Sequence, residues 1–74
     1  APLVGTFYQS KKPGDPPFVE IDSKINIGDT ICIIEAMKIF NDIDSEDNAI
    51  IKEVLVQDGE PVEFDQPLFK IQKL

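Results

Sequence analysis

Apolar and polar positions alternate in short blocks along the whole chain. Leu3-Val4-Gly5-Thr6-Phe7-Tyr8, Phe18-Val19-Glu20-Ile21 and Lys24-Ile25-Asn26-Ile27 are each four to six residues long and rich in β-branched or aromatic side chains. Runs of this kind predict strands. The same reading gives strands over 30–35, 39–44, 49–56, 61–64 and 68–71. Turn clusters separate them: Asp22-Ser23, Gly28-Asp29, 45–48, Gln57-Asp58-Gly59-Glu60 and Asp65-Gln66-Pro67. No segment carries a helical period. Between the first two strands lies Ser10-Lys11-Lys12-Pro13-Gly14-Asp15-Pro16-Pro17, whose prolines and glycine exclude both helix and a paired strand. Residues 10–17 are therefore expected as a projecting loop.

The blocks repeat. At an offset of 37 residues Phe18-Val19 falls on Leu55-Val56, Ile25 on Val62, Ile27 on Phe64, Ile31 on Leu68 and Ile34 on Ile71. Eight short strands in two related halves predict an all-β fold: a flattened β-barrel or sandwich of two four-stranded antiparallel sheets with pseudo-two-fold symmetry. The halves meet at Glu35-Ala36-Met37-Lys38-Ile39. Such symmetry puts this central hairpin, residues 35–39, at one end and the termini at the other. The turn is an odd one. Tight hairpins use Asn-Gly, Asp-Gly or Gly-X because their central residues need positive φ; here the centre is Met37 and Lys38. A conflict between local preference and fold marks a place where something other than turn stability chose the residues.

Composition narrows the function. Seventy-four residues make one domain, 1–74, too small for a deep cleft with catalytic machinery. Fourteen acidic residues against seven lysines, with no arginine, give a net charge of −7. An acidic chain without a basic patch is unsuited to nucleic acid or an anionic membrane, and no apolar run approaches the length of a membrane span. There is no signal-peptide pattern; a start at Ala1 reads as a fragment or a processed product. The single cysteine, Cys32, sits in an apolar run and reads as a buried structural thiol. With no histidine there is neither a partner for a nucleophilic thiol nor the commonest general base or metal ligand. Asp42, Asp44, Glu46 and Asp47 lack the glycine and terminal glutamate of a calcium loop. The expectation is no catalytic residues, no metal and no autonomous enzyme.

Glu35-Ala36-Met37-Lys38 resembles the attachment motif of biotinyl domains, usually Ala-Met-Lys-Met. Its context is similar too: Gly28-Asp29-Thr30-Ile31 ahead of it, Val62-Glu63-Phe64-Asp65-Gln66-Pro67-Leu68 behind, and Pro2-Leu3-Val4-Gly5-Thr6-Phe7-Tyr8 at the start. With the Pro-rich insertion, these resemble the biotin carboxyl carrier branch of acetyl-CoA carboxylases, bacterial or plastid type. The resemblance covers essentially the whole chain. It implies a non-catalytic carrier with biotin as an amide on Lys38, attached by biotin protein ligase. It implies as partners a biotin carboxylase, which loads the carboxyl group, and a carboxyltransferase, which passes it to acetyl-CoA to give malonyl-CoA for fatty acid biosynthesis. The compartment implied is bacterial cytoplasm or plastid stroma. Met37 becomes a recognition residue, Ala36 a small residue that lets a partner come close, and 10–17 the thumb beside the hairpin. Ile39 departs from the family's second methionine, and Ala49 stands where glycine is frequent. Three rivals remain: a lipoyl domain, in which Asp-Lys-Ala usually surrounds the lysine; an unmodified adaptor module of the same fold; and an enzyme.

Overall fold

The computed structural model describes residues 2–12 and 14–74. Seven strands form among them: β1 (Gly5–Tyr8), β2 (Lys24–Ile25), β3 (Thr30–Ala36), β4 (Ile39–Asp44), β5 (Ala49–Val54), β6 (Pro61–Val62) and β7 (Phe69–Lys73). They make two antiparallel sheets, one ordered β4-β3-β1-β6 and one ordered β2-β5-β7. Among the described residues the fold is all-β, without helices, and the sheets do not close into a barrel.

The expected strand over 18–21 does not form, so the second sheet has three strands among the described residues, not four. The reason lies in its partners. Pro16 and Pro17 precede it without amide donors, the Phe18 amide closes the loop onto the Gln9 carbonyl at 2.8 Å, and Glu20 already opens a turn with Ser23. Pairing with β5 begins only at Asp22 and Ser23, which exchange bonds with Ile51. The strands expected over 24–27 and 61–64 are each cut to two residues, because turns begin at Asn26 and Glu63.

The two-fold relation is visible in the register. Gly5 pairs with Val62 as Ala49 pairs with Ile25; Thr6 pairs with Pro61 as Ile50 pairs with Lys24. Thr6 and Phe7 pair with Glu35 and Ile34 as Ile50 and Ile51 pair with Gln72 and Ile71. The offset is 44 positions for β1 onto β5 (49 − 5) and 37 for β3 onto β7 (71 − 34). The first half is thus longer by seven residues between these strands (44 − 37), the space taken by the projecting loop.

The core follows the same symmetry. Phe7, Cys32, Ile34, Val56, Val62 and Leu68 form one buried cluster, and Ile25, Ala49 and Ile51 a second. Ile31, Val54 and Phe69 pack against both and join them. The Phe7 and Phe69 rings meet at 6.0 Å, tilted by 58°, a favourable aromatic geometry. Ala49, at a position where glycine is frequent in the resembling family, is fully buried at the start of β5, opposite Ile25 on one side and Lys73 on the other. At the equivalent Gly5, an added Cβ would overlap the Glu35 carbonyl oxygen and lie 2.8 Å from Ile34 Cγ2. Gly5 therefore sets how closely β1 approaches β3 just below the central hairpin.

Candidate functional site at the central hairpin

β3 and β4, of seven and six residues, pair from Thr30–Asp44 up to Ala36–Ile39. Only Met37 and Lys38 lie beyond the last pair, with φ of 53° and 67°. Two successive positive φ values are the signature of the two-residue hairpin turn whose twist matches that of the strands. Non-glycine residues in this region carry a cost on the order of 1–2 kcal/mol each. The turn nevertheless stands on firm footing. Ile33 and Ile34 of β3 are buried, and the Asn41 side-chain amide donates to the Ile34 and Ile39 carbonyls at 3.2 and 3.3 Å, tying the two strands together below the apex. Asn41 was not singled out by its sequence; a polar residue in a strand gives no local sign that it bridges to the neighbouring one.

Lys38 is exposed, and among the described residues no hydrogen bond or ion pair holds its Nζ. Met37 is 93% exposed, and Ile39 and Phe40 are also exposed. A free primary amine at the apex of a rigid hairpin, ringed by uncovered apolar side chains, suits formation of an amide with a carboxylic acid cofactor and capture by a partner. Ala36 is half-buried at the last strand pair. Sequence and structure thus agree on where Ala36, Met37 and Lys38 lie.

The projecting loop stands next to this hairpin. Its base is closed by the Phe18–Gln9 bond and anchored by Asp58, whose Oδ1 accepts the Gln9 amide at 2.9 Å. Inside it the Ser10 hydroxyl, buried, donates to the Lys12 carbonyl at 2.9 Å, and the Asp15 amide donates to the same carbonyl at 3.1 Å. Pro13 lies outside the described residues. Between loop and sheet is a cleft of about 230 Å³. Tyr8, Ile33 and Phe40 form its sheet side, and Ser10, Lys11 and Lys12 its loop side. The Tyr8 and Phe40 rings stack at 6.2 Å across β1 and β4. Phe40 is two residues from Lys38, about 7 Å along a strand, so the cleft begins close to the apex.

The other candidates fall away from the site. Cys32 is fully buried, and burial pushes its thiol up to about 12, leaving no thiolate at neutral pH. Asp42 and Asp44 project from β4, with Asp44 accepting the Thr30 hydroxyl at 2.9 Å. Asp47 meets Lys73 at 3.7 Å on the surface. Among the described residues no cluster could hold a metal ion, and no helix is long and apolar enough to cross a membrane. The Leu74 amide donates to the Asn48 carbonyl, and the Asn48 side chain accepts from Ile27. The C-terminus therefore lies beside the 26–29 turn, at the end of β3 opposite Lys38.

The chain is 50% identical over 72 residues, 97% of its length, to the biotin carboxyl carrier protein of acetyl-CoA carboxylase from Nostoc sp., covering 40% of that protein. It is 51% identical over 71 residues to the chloroplastic biotin carboxyl carrier protein 2 of Arabidopsis thaliana, covering 96% of this chain and 28% of that one. To the Pseudomonas aeruginosa carrier protein it is 49% identical over 71 residues, again 96% of this chain, and 46% of the relative. The chain thus spans less than half the length of these curated relatives. In fold it matches a single-chain, multi-domain long-chain acyl-CoA carboxylase with a TM-score of 0.83 at 23% identity, over all of this chain and 7% of that one. The biotin–lipoyl family model, described as "Biotin-requiring enzyme", matches residues 1–71, and the chain belongs to that family.

Proposed function

We propose that this chain is the biotin carrier domain of an acetyl-CoA carboxylase, with biotin held as an amide on Lys38 Nζ. The observation that carries the reading is the turn itself: two successive left-handed, non-glycine residues present an unpaired lysine at the end of the molecule. The named relatives support the choice of cofactor and of host enzyme. Biotin supplies the nitrogen that carries a carboxyl group between two active sites. This chain supplies the rest. Its hairpin fixes the point of attachment. Ala36 is small enough for a partner to approach the backbone, and Met37 offers that partner an exposed apolar contact. Biotin protein ligase reads this hairpin once, forming the amide and removing the ammonium charge, which takes the domain from −7 to −8. Biotin carboxylase and carboxyltransferase read it in turn, the second delivering the carboxyl group to acetyl-CoA as malonyl-CoA. A small rigid domain loses little ordering entropy at each docking. The carrier works in bacterial cytoplasm or plastid stroma.

The 10–17 loop acts as a thumb. Its anchored base and its cleft beside Phe40 shape how the cofactor is presented, while its side chains contribute little to either core cluster. Replacing residues 11–16 by a short Gly-containing turn should leave thermal stability and biotinylation nearly unchanged and lower carboxyl transfer to acetyl-CoA. Unfolding of the variant, or full transfer activity, counts against this role.

Intact mass after growth with a functional biotin protein ligase tests the main reading. One biotin increment that disappears in Lys38→Arg is the expected result. A lipoyl increment makes the chain a lipoyl domain, and no increment makes the hairpin a plain structural turn.

A further inference from the structure

Taking Lys38 as the biotin carrier, we propose that Asp58 is a positioning residue: it clamps the neck of the 10–17 loop and so fixes where that loop stands over the cofactor. The two halves of the chain supply an internal control. Turns 20–23 and 57–60, related by the 37-residue repeat, dock on their strands by the same pair of backbone bonds. The Asp22 amide donates to the Ile51 carbonyl at 2.7 Å and the Ile51 amide to the Ser23 carbonyl at 2.9 Å. The Gly59 amide donates to the Phe7 carbonyl at 2.7 Å and the Phe7 amide to the Glu60 carbonyl at 2.9 Å. The second residues of the turns differ. Ile21, 61% exposed, has no side-chain oxygen. Asp58 accepts the Gln9 amide, 49 positions away in the chain, at 2.9 Å. The strands differ at the same place. β5 stays paired with β7 as far as Val54, whereas β1 stops at Tyr8 and Gln9 leaves the sheet. Asp58 thus takes up an amide that the ladder no longer holds, and does so in the half that carries the loop.

Asp58 is not needed for its own turn, which Glu60 caps by accepting the Gln57 amide at 2.9 Å. Gln9 is held from both sides: its amide by Asp58, its carbonyl by the Phe18 amide at 2.8 Å, the bond that closes the neck. Above the neck the loop is stiff. The Ser10 hydroxyl and the Asp15 amide both donate to the Lys12 carbonyl, and Gly14 supplies the left-handed φ of 87° within the 12–15 turn. A stiff unit on a narrow neck moves as a lever, so a small rotation at Gln9 shifts Lys11 and Lys12 across the cleft they share with Tyr8 and Phe40. Asp58 lines the same cleft, and among the described residues no ion pair joins it to either lysine. Its hold on the loop is therefore the Gln9 bond.

The test compares Asp58→Ala with Asp58→Asn in the full-length protein, biotinylated in the cell and checked by intact mass. Asparagine keeps a side-chain oxygen to accept the Gln9 amide; alanine does not. In Asp58→Ala, hydrogen exchange of the Gln9 amide read by NMR should speed up about tenfold, as for a lost hydrogen bond to a charged acceptor, while the 30–36 amides stay protected. Carboxyl transfer to acetyl-CoA should lose about fivefold in kcat with KM for the carrier unchanged, because the loop misdirects the cofactor after docking. Biotinylation should keep its wild-type rate, since the hairpin is untouched. Asp58→Asn should restore both exchange and kcat. Unchanged exchange or wild-type kcat in Asp58→Ala overturns the proposal, as does an Asp58→Asn variant no better than Asp58→Ala. A raised KM at unchanged kcat overturns it too, assigning Asp58 to a docking surface. If the wild-type protein takes up no biotin, the carrier reading fails and the proposal falls with it; if biotin is present and these variants behave as wild type, the proposal alone falls.

Discussion

Four turns of this chain are built alike, and the Met37–Lys38 turn is built differently. In 20–23, 26–29, 57–60 and 63–66 the fourth residue's amide donates to the first residue's carbonyl at 3.0–3.1 Å. In each, the fourth residue's side chain also accepts the first residue's amide: Ser23, Asp29, Glu60 and Gln66, at 2.8–2.9 Å. The third residue has positive φ and is Asp22, Gly28, Gly59 or Asp65. The first and third of these turns, and the second and fourth, are related by the 37-residue repeat. Each is a self-capped unit whose residues are good turn formers. The Met37–Lys38 turn has two positive φ values, no glycine or aspartate, and exposed long side chains. Where the chain only has to reverse direction, local chemistry settles the turn. At the Met37–Lys38 apex, the long β3–β4 ladder and the Asn41 bridge hold a turn that its own residues disfavour.

The sharpest way to break this comparison is Lys38→Arg. It keeps length, charge and exposure, so the fold should be unchanged within about 0.5 kcal/mol, while biotinylation measured by intact mass falls to nothing. A biotin increment in that variant would move the attachment point off the turn. Next come Gly28→Ala and Gly59→Ala. Nothing lies within 4 Å of an added Cβ at either glycine, so only the left-handed backbone is penalised. Urea midpoints should report losses of about 1–2 kcal/mol. Lys38→Gly should shift the midpoint the other way, a gain of about 1 kcal/mol, because it relieves the same penalty at the apex. A loss there would mean that the lysine stabilises its own turn. Removing one cap by Asp29→Ala should cost about 0.5–1.5 kcal/mol. The smallest effect is expected for Met37→Leu, within about 0.5 kcal/mol in stability, with slower carboxylation of the attached cofactor. Wild-type rates in both ligase and carboxylase assays would make Met37 a bystander.

Much of this was legible along the chain because it is written in local terms. β-Branched runs, glycines and Asp-rich turns at regular spacing specify short strands and self-capped turns, and the 37-residue offset relates the Ile34 and Ile71 positions that the register later matches. The mismatch between Met37-Lys38 and an ordinary hairpin turn singled out the hairpin, and the surrounding residues carried the family resemblance.

What the sequence by itself determined is therefore the all-β class, the repeat, the position of the exposed lysine and the absence of histidine chemistry, each a matter of residue type and spacing. Tertiary structure decided the rest. Phe18–Ile21 has a strand's composition but no strand to pair with, since a ladder needs a partner edge and the prolines ahead of it turn the chain away. Gly5 has no unusual φ to betray it; only the approach of Glu35 and Ile34 makes it necessary. Asn41 and the Tyr8–Phe40 stack join residues on different strands. Ile34 and Ile71 read alike in a list of residues, yet one is sealed and the other open, because burial depends on what lies alongside.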